Sequence, residues 1–382
     1  MIPYGKQDIQ PEDIQAVIDV LQSDFLTQGP NVPLFEQKLC EYTGAKHAIA
    51  VNSATSALHI ACLALGLGQE DWLWTSPISF LASSNCALYC GAKVDFVDID
   101  AKTYNLSVSA LSEKLEEAKK QNKLPKIVVP VHLCGQSCEM AEIYALSQEY
   151  GFKIIEDASH AVGAKYQEQP VGNCQYSDIT VFSFHPVKII TTAEGGVAMT
   201  NQADLAEKMA LFRSHGLTRN EMQMQGNCQG AWYYQQIELG YNYRMTELQA
   251  ALGVSQITRL EEYVLKRQQL AKRYDQELVN LPITLPFQHP DTYSSYHLYP
   301  ILTSSGNERK ALFDYLRVEG VGVNVHYIPI HTQPYYQRLG FKEGRFPIAE
   351  DYYKRTISIP LFAQLTDDEQ QYIIEKLKLK LK

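Results

Sequence analysis

The chain has 382 residues, enough for two or three domains with a sizeable buried core. At 45% hydrophobic and 20% charged residues it has the composition of an ordinary globular protein. A formal net charge of -9 argues against a general nucleic-acid binder, which needs a basic field to neutralise phosphates.

The amino terminus, MIPYGKQDIQPEDIQ, has no apolar core of a signal peptide, and no run of apolar residues is long enough to span a membrane. Both features point to the cytoplasm. Eight cysteines are too few for a disulfide scaffold. Cys86/Cys90 and Cys134/Cys138 share a helical spacing, but no CxxC pair or histidine cluster accompanies them. They read as free thiols, and no metal site is expected.

In chain order, residues 8–23 form an amphipathic pattern, with Pro11 near its start, and 32–43 form a second helix ending before Gly44. A long alternation follows. Ala48–Val51, Trp72–Thr75, Val94–Val97, Ile127–Val131, Lys153–Ile155, Ile179–Phe184 and Gly196–Met199 read as strands. Helices are expected at Ser56–Leu65, Ala82–Tyr89, Ala110–Lys119 and Met140–Tyr150. Strands that alternate with helices imply an α/β fold with a mostly parallel central sheet flanked by helices. After residue 245 the pattern changes. One long helix is expected over Glu247–Asn280, then strands at His297–Leu302 and Val321–His326 around a helix at Arg309–Glu319, and a last helix at Asp367–Lys380. The expectation is a large domain over 1–245 and a connecting helix with a smaller α+β domain over 246–382. Residues 1–30 are expected to pack on the small domain.

Three stretches carry chemistry. In Val51-Asn52-Ser53-Ala54-Thr55-Ser56 a strand ends in small hydroxylic residues at a helix start, which offers free N–H groups to an anion. In Ile154-Ile155-Glu156-Asp157 two carboxylates end an apolar strand at the same sheet edge, and an aspartate there can hold a ring nitrogen as a cation. Each of these, taken alone, also reads as a helix cap without a ligand, and for the first that is the favoured reading. In FSFHPVKIITTAEGG, Lys188 stands between Val187 and Ile189, among apolar neighbours that lower its pKa. A neutral amine attacks carbonyls and forms Schiff bases. Lysine, aspartate and phosphate site in this order describe a pyridoxal 5'-phosphate (PLP) pocket.

With those residues in view, the sequence resembles the DegT/DnrJ/EryC1/StrS family of nucleotide-sugar aminotransferases, nearly end to end. The matching motifs include Leu26-Thr27-Gln28-Gly29, Asn52 to Leu58, Thr75 to Phe80, Phe182 to His185, Thr191 to Gly196, Arg213 to Gly216, His297 to Leu302 and Val325 to Ile330. Within the family it is most similar to members acting in pseudaminic acid synthesis. The resemblance implies the fold-type I PLP-dependent aminotransferase architecture and a homodimer with a shared active site.

The resemblance also implies roles. Lys188 would hold PLP and move the substrate proton, and Asp157 would pair with the pyridinium nitrogen. Phe80 would stack on the ring. Ala54, Thr55 and Ser183 would bind the phosphate. His160 would contact the phenolic-oxygen side, where many relatives have Gln. Asn242 would reach the partner's phosphate across the dimer. His326 and Tyr327 would lie near the substrate. Arg213, His215, Arg219, Tyr243, Arg244 and His331 remain open candidates for the diphosphate. The implied reaction moves an amino group from glutamate to C4 of a UDP-linked 4-keto-6-deoxy-N-acetylhexosamine. The alternatives are another 4-keto or 3-keto nucleotide-sugar aminotransferase and, more remotely, a PLP-binding regulator without turnover. Lys188 itself favours transamination, because the dehydrating branch of the family has histidine there.

Overall fold

The computed structural model describes residues 1–381. Seven strands form the central sheet: β1 (His47–Val51), β2 (Trp72–Thr75), β3 (Lys93–Phe96), β4 (Ile127–Val129), β5 (Lys153–Asp157), β6 (Ile179–Ser183) and β7 (Gly196–Thr200). Their order is β1-β7-β6-β5-β4-β2-β3. All run parallel except β7, which is antiparallel to both of its neighbours.

The strands are apolar on both faces because helices cover both. Ile49, Val51, Leu73, Ile155 and Val181 enter one core, packed under α3 (Ala54–Ala64) and α4 (Ala82–Tyr89). The alternate residues Ala48, Ala50, Phe182, Val197 and Met199 enter the other, with Phe35 and Leu39 of α2 (Asn31–Thr43). This two-sided burial explains continuous rather than alternating hydrophobic runs.

The expected single helix over 247–280 is two, Glu247–Ile257 and Leu260–Leu278. At the break the Thr258 hydroxyl donates to the Ser255 carbonyl. Arg259 leaves the helical path and its guanidinium meets both carboxylate oxygens of Asp13 at 2.6 Å. Residue periodicity is helical on both sides of such a joint and does not report it.

A three-stranded antiparallel sheet, Ile283–Thr284, Tyr299–Thr303 and Thr356–Ile359, carries the smaller core. The expected strand Val321–His326 does not form. Its backbone pairs only at single points, Val321 with Ile2 and Asn324 with Ser358. Val321 and Val323 are buried instead, and Asn324, Val325 and His326 line a cavity. Residues Ile330 to Tyr352 pack back against Phe96 and Tyr104 of the large core. The amino terminus is tied down here too: Ile2 N–H donates to Gly320 O at 2.8 Å, and Gly322 N–H donates to Ile2 O at 2.7 Å.

Candidate active site

A cavity of about 950 Å³ opens at the carboxyl edge of the parallel strands, where open α/β sheets place ligands. Its size is at the upper end for small-molecule sites and admits a cofactor together with a sugar. β1, β5 and β6 each deliver one wall.

From β1 the chain passes Asn52 and turns into α3. Ser53 caps the helix, its hydroxyl accepting from Ser56 N–H at 3.1 Å. The first N–H groups of a helix lack intrahelical acceptors, and here Ala54 and Thr55 line the cavity. Gly196 lies against this turn. A Cβ added there would sit 2.4 Å from Ala54 N, so the close approach requires glycine. Ser183 pairs in register with Gly196 and lines the same end. Backbone donors at a positive helix end, with hydroxyls beside them, suit a phosphate.

From β5 comes Asp157, buried. It accepts the Ser83 hydroxyl at 2.5 Å and the Ser159 N–H at 3.1 Å. The adjacent Glu156 points to the other face. There it takes His132 at 2.8 Å and the hydroxyls of Ser177 and Thr180, and it lies outside the cavity lining. Burial would raise its pKa, but these donors outweigh burial and hold it below the ordinary value. The two carboxylates at the strand end therefore have separate jobs, and Glu156 is structural.

From β6 the chain makes a closed excursion to β7. Lys188 N–H donates to His185 O at 2.8 Å, and Thr192 N–H returns to Phe184 O at 3.0 Å. Ile189 and Ile190 anchor the excursion in the core, while Val187 and Lys188 face the cavity. The apolar neighbours of the lysine are thus its anchor and its desolvating wall. Protein packs the amine closely, and burial lowers its pKa to about 8; the nearby Asp157 carboxylate opposes part of that fall.

His160, His297 and His326 surround this amine. Burial depresses all three, with the Lys188 charge adding to it; His326 falls to about 3. At neutral pH they are uncharged imidazoles. His160 and His297 lie 4.4 Å apart between ring centroids. His160 Nε2 is 3.0 Å from the Tyr327 hydroxyl, so its polar contact is with that side chain. Phe80 stands at the mouth, 61% exposed and 6.3 Å from the Tyr327 ring.

The fold thus brings Ala54, Thr55, Phe80, Asp157 and His160 to one cavity. Ser183, Lys188, His326 and Tyr327 join them there. Asn242 is elsewhere, on an exposed segment bridged to Ser214. Three of the open candidates are bonded to other partners: Arg213 to Glu36 at 2.6 Å and to Ala50 O, buried His331 to Glu350 at 2.9 Å, and the Tyr243 hydroxyl to His59 Nδ1 at 3.1 Å. Tyr4, Ser83, His297, Asn324 and Gln249 are close to the chemistry and were not singled out from the sequence. Of these, His297 opens one of the matching motifs, and Ser83 carried a local signal, four residues after Ser79 at a helix start, where its hydroxyl meets that of Ser79 at 2.6 Å.

A family model for DegT/DnrJ/EryC1/StrS aminotransferases matches residues 7–378. The spore coat polysaccharide biosynthesis protein SpsC of Bacillus subtilis is 39% identical, over 99% of this chain and 96% of its own. The UDP-4-amino-4,6-dideoxy-N-acetyl-beta-L-altrosamine transaminase of Campylobacter jejuni is 38% identical over 99% and 96%. The solved structure of Helicobacter pylori PseC, an aminotransferase of pseudaminic acid biosynthesis, superposes with a TM-score of 0.90 at 35% identity, covering 100% of this chain and 99% of that one. The chain belongs to the DegT/DnrJ/EryC1/StrS aminotransferase family.

Proposed function

We propose that this protein transfers an amino group from glutamate to C4 of a UDP-4-keto-6-deoxy-N-acetylhexosamine. The product is UDP-4-amino-4,6-dideoxy-N-acetyl-beta-L-altrosamine, for pseudaminic acid synthesis in the cytoplasm. One observation carries the reading: a desolvated lysine amine, a buried aspartate and an open helix start share one cavity. That donor set suits PLP, held by Ala54, Thr55 and Ser183 at its phosphate, by Asp157 at its ring nitrogen, by Phe80 at its ring face and by Lys188 at its carbonyl carbon. Bound there, PLP supplies an electron sink for the carbon that loses its proton. Lys188 takes that proton and returns it, a task suited to an amine poised near neutral pH. Asp157 keeps the ring nitrogen charged, and the Ser83 and Ser159 donors fix its carboxylate. The neutral histidines and Tyr327 supply polar contacts without adding charge.

The proposal includes a homodimer. Among the described residues Lys188 is the only Lys or Arg that lines the cavity, yet a cofactor phosphate and a diphosphate must be neutralised there. Asn242 faces outward on a segment that continues into exposed Trp232 and Leu239, surface of the kind a second copy covers. His326 and Tyr327 are assigned to the substrate side.

The test uses purified, PLP-loaded enzyme. Glutamate should convert its visible absorbance to that of the amine form of the cofactor. The UDP-4-keto sugar should restore it, with an axial or equatorial C4 amine identified by NMR of the product. Loss of the visible band in Lys188→Ala completes the expectation. A parent enzyme with no visible band after PLP is added ends the reading.

A further inference from the structure

His160 cannot be an indifferent neighbour of Tyr327, because its other nitrogen is already committed. The backbone N–H of Cys134 donates to His160 Nδ1 at 3.3 Å. Several contacts hold that N–H in place. Cys134 has φ 60, and Leu298 N–H donates to its carbonyl at 3.3 Å. The next residue, Gly135, lies so close to the 295–297 backbone that a Cβ would meet Tyr296 N at 2.8 Å. Ser295 Oγ donates to His160 O at 3.0 Å and closes the clasp.

A neutral imidazole has one N–H and one lone pair. With Nδ1 accepting, the proton is on Nε2. Nε2 lies 3.0 Å from the Tyr327 hydroxyl, so the imidazole donates and the phenol oxygen accepts. The opposite tautomer would set two N–H donors against each other in a buried place, at a cost of about 1–3 kcal/mol. Among the described residues the Tyr327 hydroxyl has no other hydrogen-bond partner, and its side chain lines the cavity beside Phe80 and Lys188.

We infer that Tyr327 donates its phenolic proton as a hydrogen bond to a ligand oxygen in this cavity, and that His160 is the positioning residue that leaves that proton no other acceptor. The inference rests on the aminotransferase reading for the identity of the ligand, but not for the direction of the hydrogen bonds. The acceptor is an electron-rich oxygen next to the reacting centre, either the phenolic oxygen of the cofactor or the keto oxygen of the sugar. His160 then reaches the ligand through Tyr327 rather than directly. A glutamine at position 160 would preserve the pattern, since its amide can accept from Cys134 N–H and donate to Tyr327.

The first measurement is the 15N spectrum of histidine-labelled enzyme, loaded with PLP, with the His160 signals assigned by their loss in His160→Gln. A protonated Nε2 and a lone pair on Nδ1 at neutral pH are expected. A protonated Nδ1, or a doubly protonated ring, overturns the inference. The second measurement is Tyr327→Phe, which keeps the ring and its packing. If the acceptor is the cofactor oxygen, the visible band shifts before any sugar is added. If it is the keto oxygen, the band stays and kcat with the keto sugar falls by about 10²-fold at little-changed KM, the loss typical of one missing donor to a developing oxyanion. An unchanged band with unchanged rates in both half-reactions overturns the inference. His160→Leu should reproduce the Tyr327→Phe defect, while His160→Gln retains parental behaviour. If His160→Gln is as impaired as His160→Leu, the positioning role is overturned. A parent enzyme without a visible band would fail the functional reading alone, since the tautomer is read on its own signals.

Discussion

Lys188 offers a prediction that needs no substrate. Its amine titrates at about 8 instead of 10.5 because the cavity wall desolvates the ammonium, with the Asp157 carboxylate restoring only part of the difference. At pH 7 about one Lys188 side chain in ten is then a free amine, against about one in three thousand for an ordinary lysine. Competitive labelling of the cofactor-free protein with a trace of acetic anhydride, read by mass spectrometry, gives the reactivity of each lysine against pH. The reactivity of Lys188 should rise through a midpoint near 8, well below the usual lysine range. The same shift bears on stability. The folded state binds fewer protons than the unfolded state between pH 8 and 10.5, so stability rises with pH across that window. Below it, Lys188 destabilises the fold by about 3 kcal/mol, at 1.36 kcal/mol per pH unit. Lys188→Met, of similar shape and without charge, should therefore stabilise the cofactor-free protein at pH 7 by up to that amount, with the difference vanishing toward pH 10.5. A labelling midpoint near 10.5 would refute the desolvation argument and leave the lysine with no activated amine.

Other perturbations test the rest of the cavity. Ser83→Ala removes a hydroxyl donor from a buried carboxylate, worth about 1.5–3 kcal/mol; dialysis should show PLP lost about 10–10²-fold more readily, with folding intact. Gly196→Ala forces a Cβ against Ala54 N, an overpacking of about 1–3 kcal/mol. Urea unfolding should report that loss, and phosphate affinity should fall with it because the anion site itself is displaced. Arg259→Met deprives Asp13 of its ion pair. Burial raises the Asp13 pKa, but its hydrogen bonds, the Arg259 bond among them, outweigh that and lower it. The stability it contributes is present above the ordinary value of 3.8 and lost as pH falls through the lower folded value. The gap between variant and parent, followed by thermal melting, should therefore narrow only in acid below that point.

The large domain was readable because its signals are local. β2 and α4 occur at their expected limits, since a buried parallel strand is a continuous apolar run and its covering helix has its own period. Lys188 and Asp157 were readable for a related reason: each closes or follows such a strand, and parallel strands share one carboxyl edge. The small domain was less legible. Val321 to His326 alternates like a strand, yet a segment becomes a strand only when a neighbour offers a matching ladder, and the neighbours here are Ile2 and Ser358. No local pattern announces pairing across 300 residues. Tyr4 was missed on the same ground, since the ties of Ile2 to Gly320 and Gly322 and of Tyr4 O to Leu361 N–H bring it to the cavity.

Sequence motifs supply identities and positions, but not the direction of a hydrogen bond. The resemblance places His160 near the cofactor and Tyr327 near the substrate, and each alone is compatible with direct contact to a ligand. The direction follows from a third group that no motif contains, the backbone N–H of Cys134, turned toward His160 by a left-handed residue and held by the 294–298 segment. That segment also carries His297, and Arg267 grips it from below through the carbonyls of Tyr296 and His297, each at 3.2 Å. The guanidinium is buried and among the described residues has no carboxylate partner, and its pKa is lowered to about 10 by burial alone. Replacing it by leucine would leave three backbone carbonyls, those of Tyr296, His297 and Leu361, without this donor. The cost at the site is then indirect. The clasp around Cys134 loosens, His160 regains a choice of tautomer, and Tyr327 can spend its proton on the imidazole instead of the ligand. Arg267→Leu should therefore shift the His160 15N signals toward a mixture of tautomers while Lys188 still binds PLP; an unmixed Nε2–H signal would show that the clasp does not depend on Arg267.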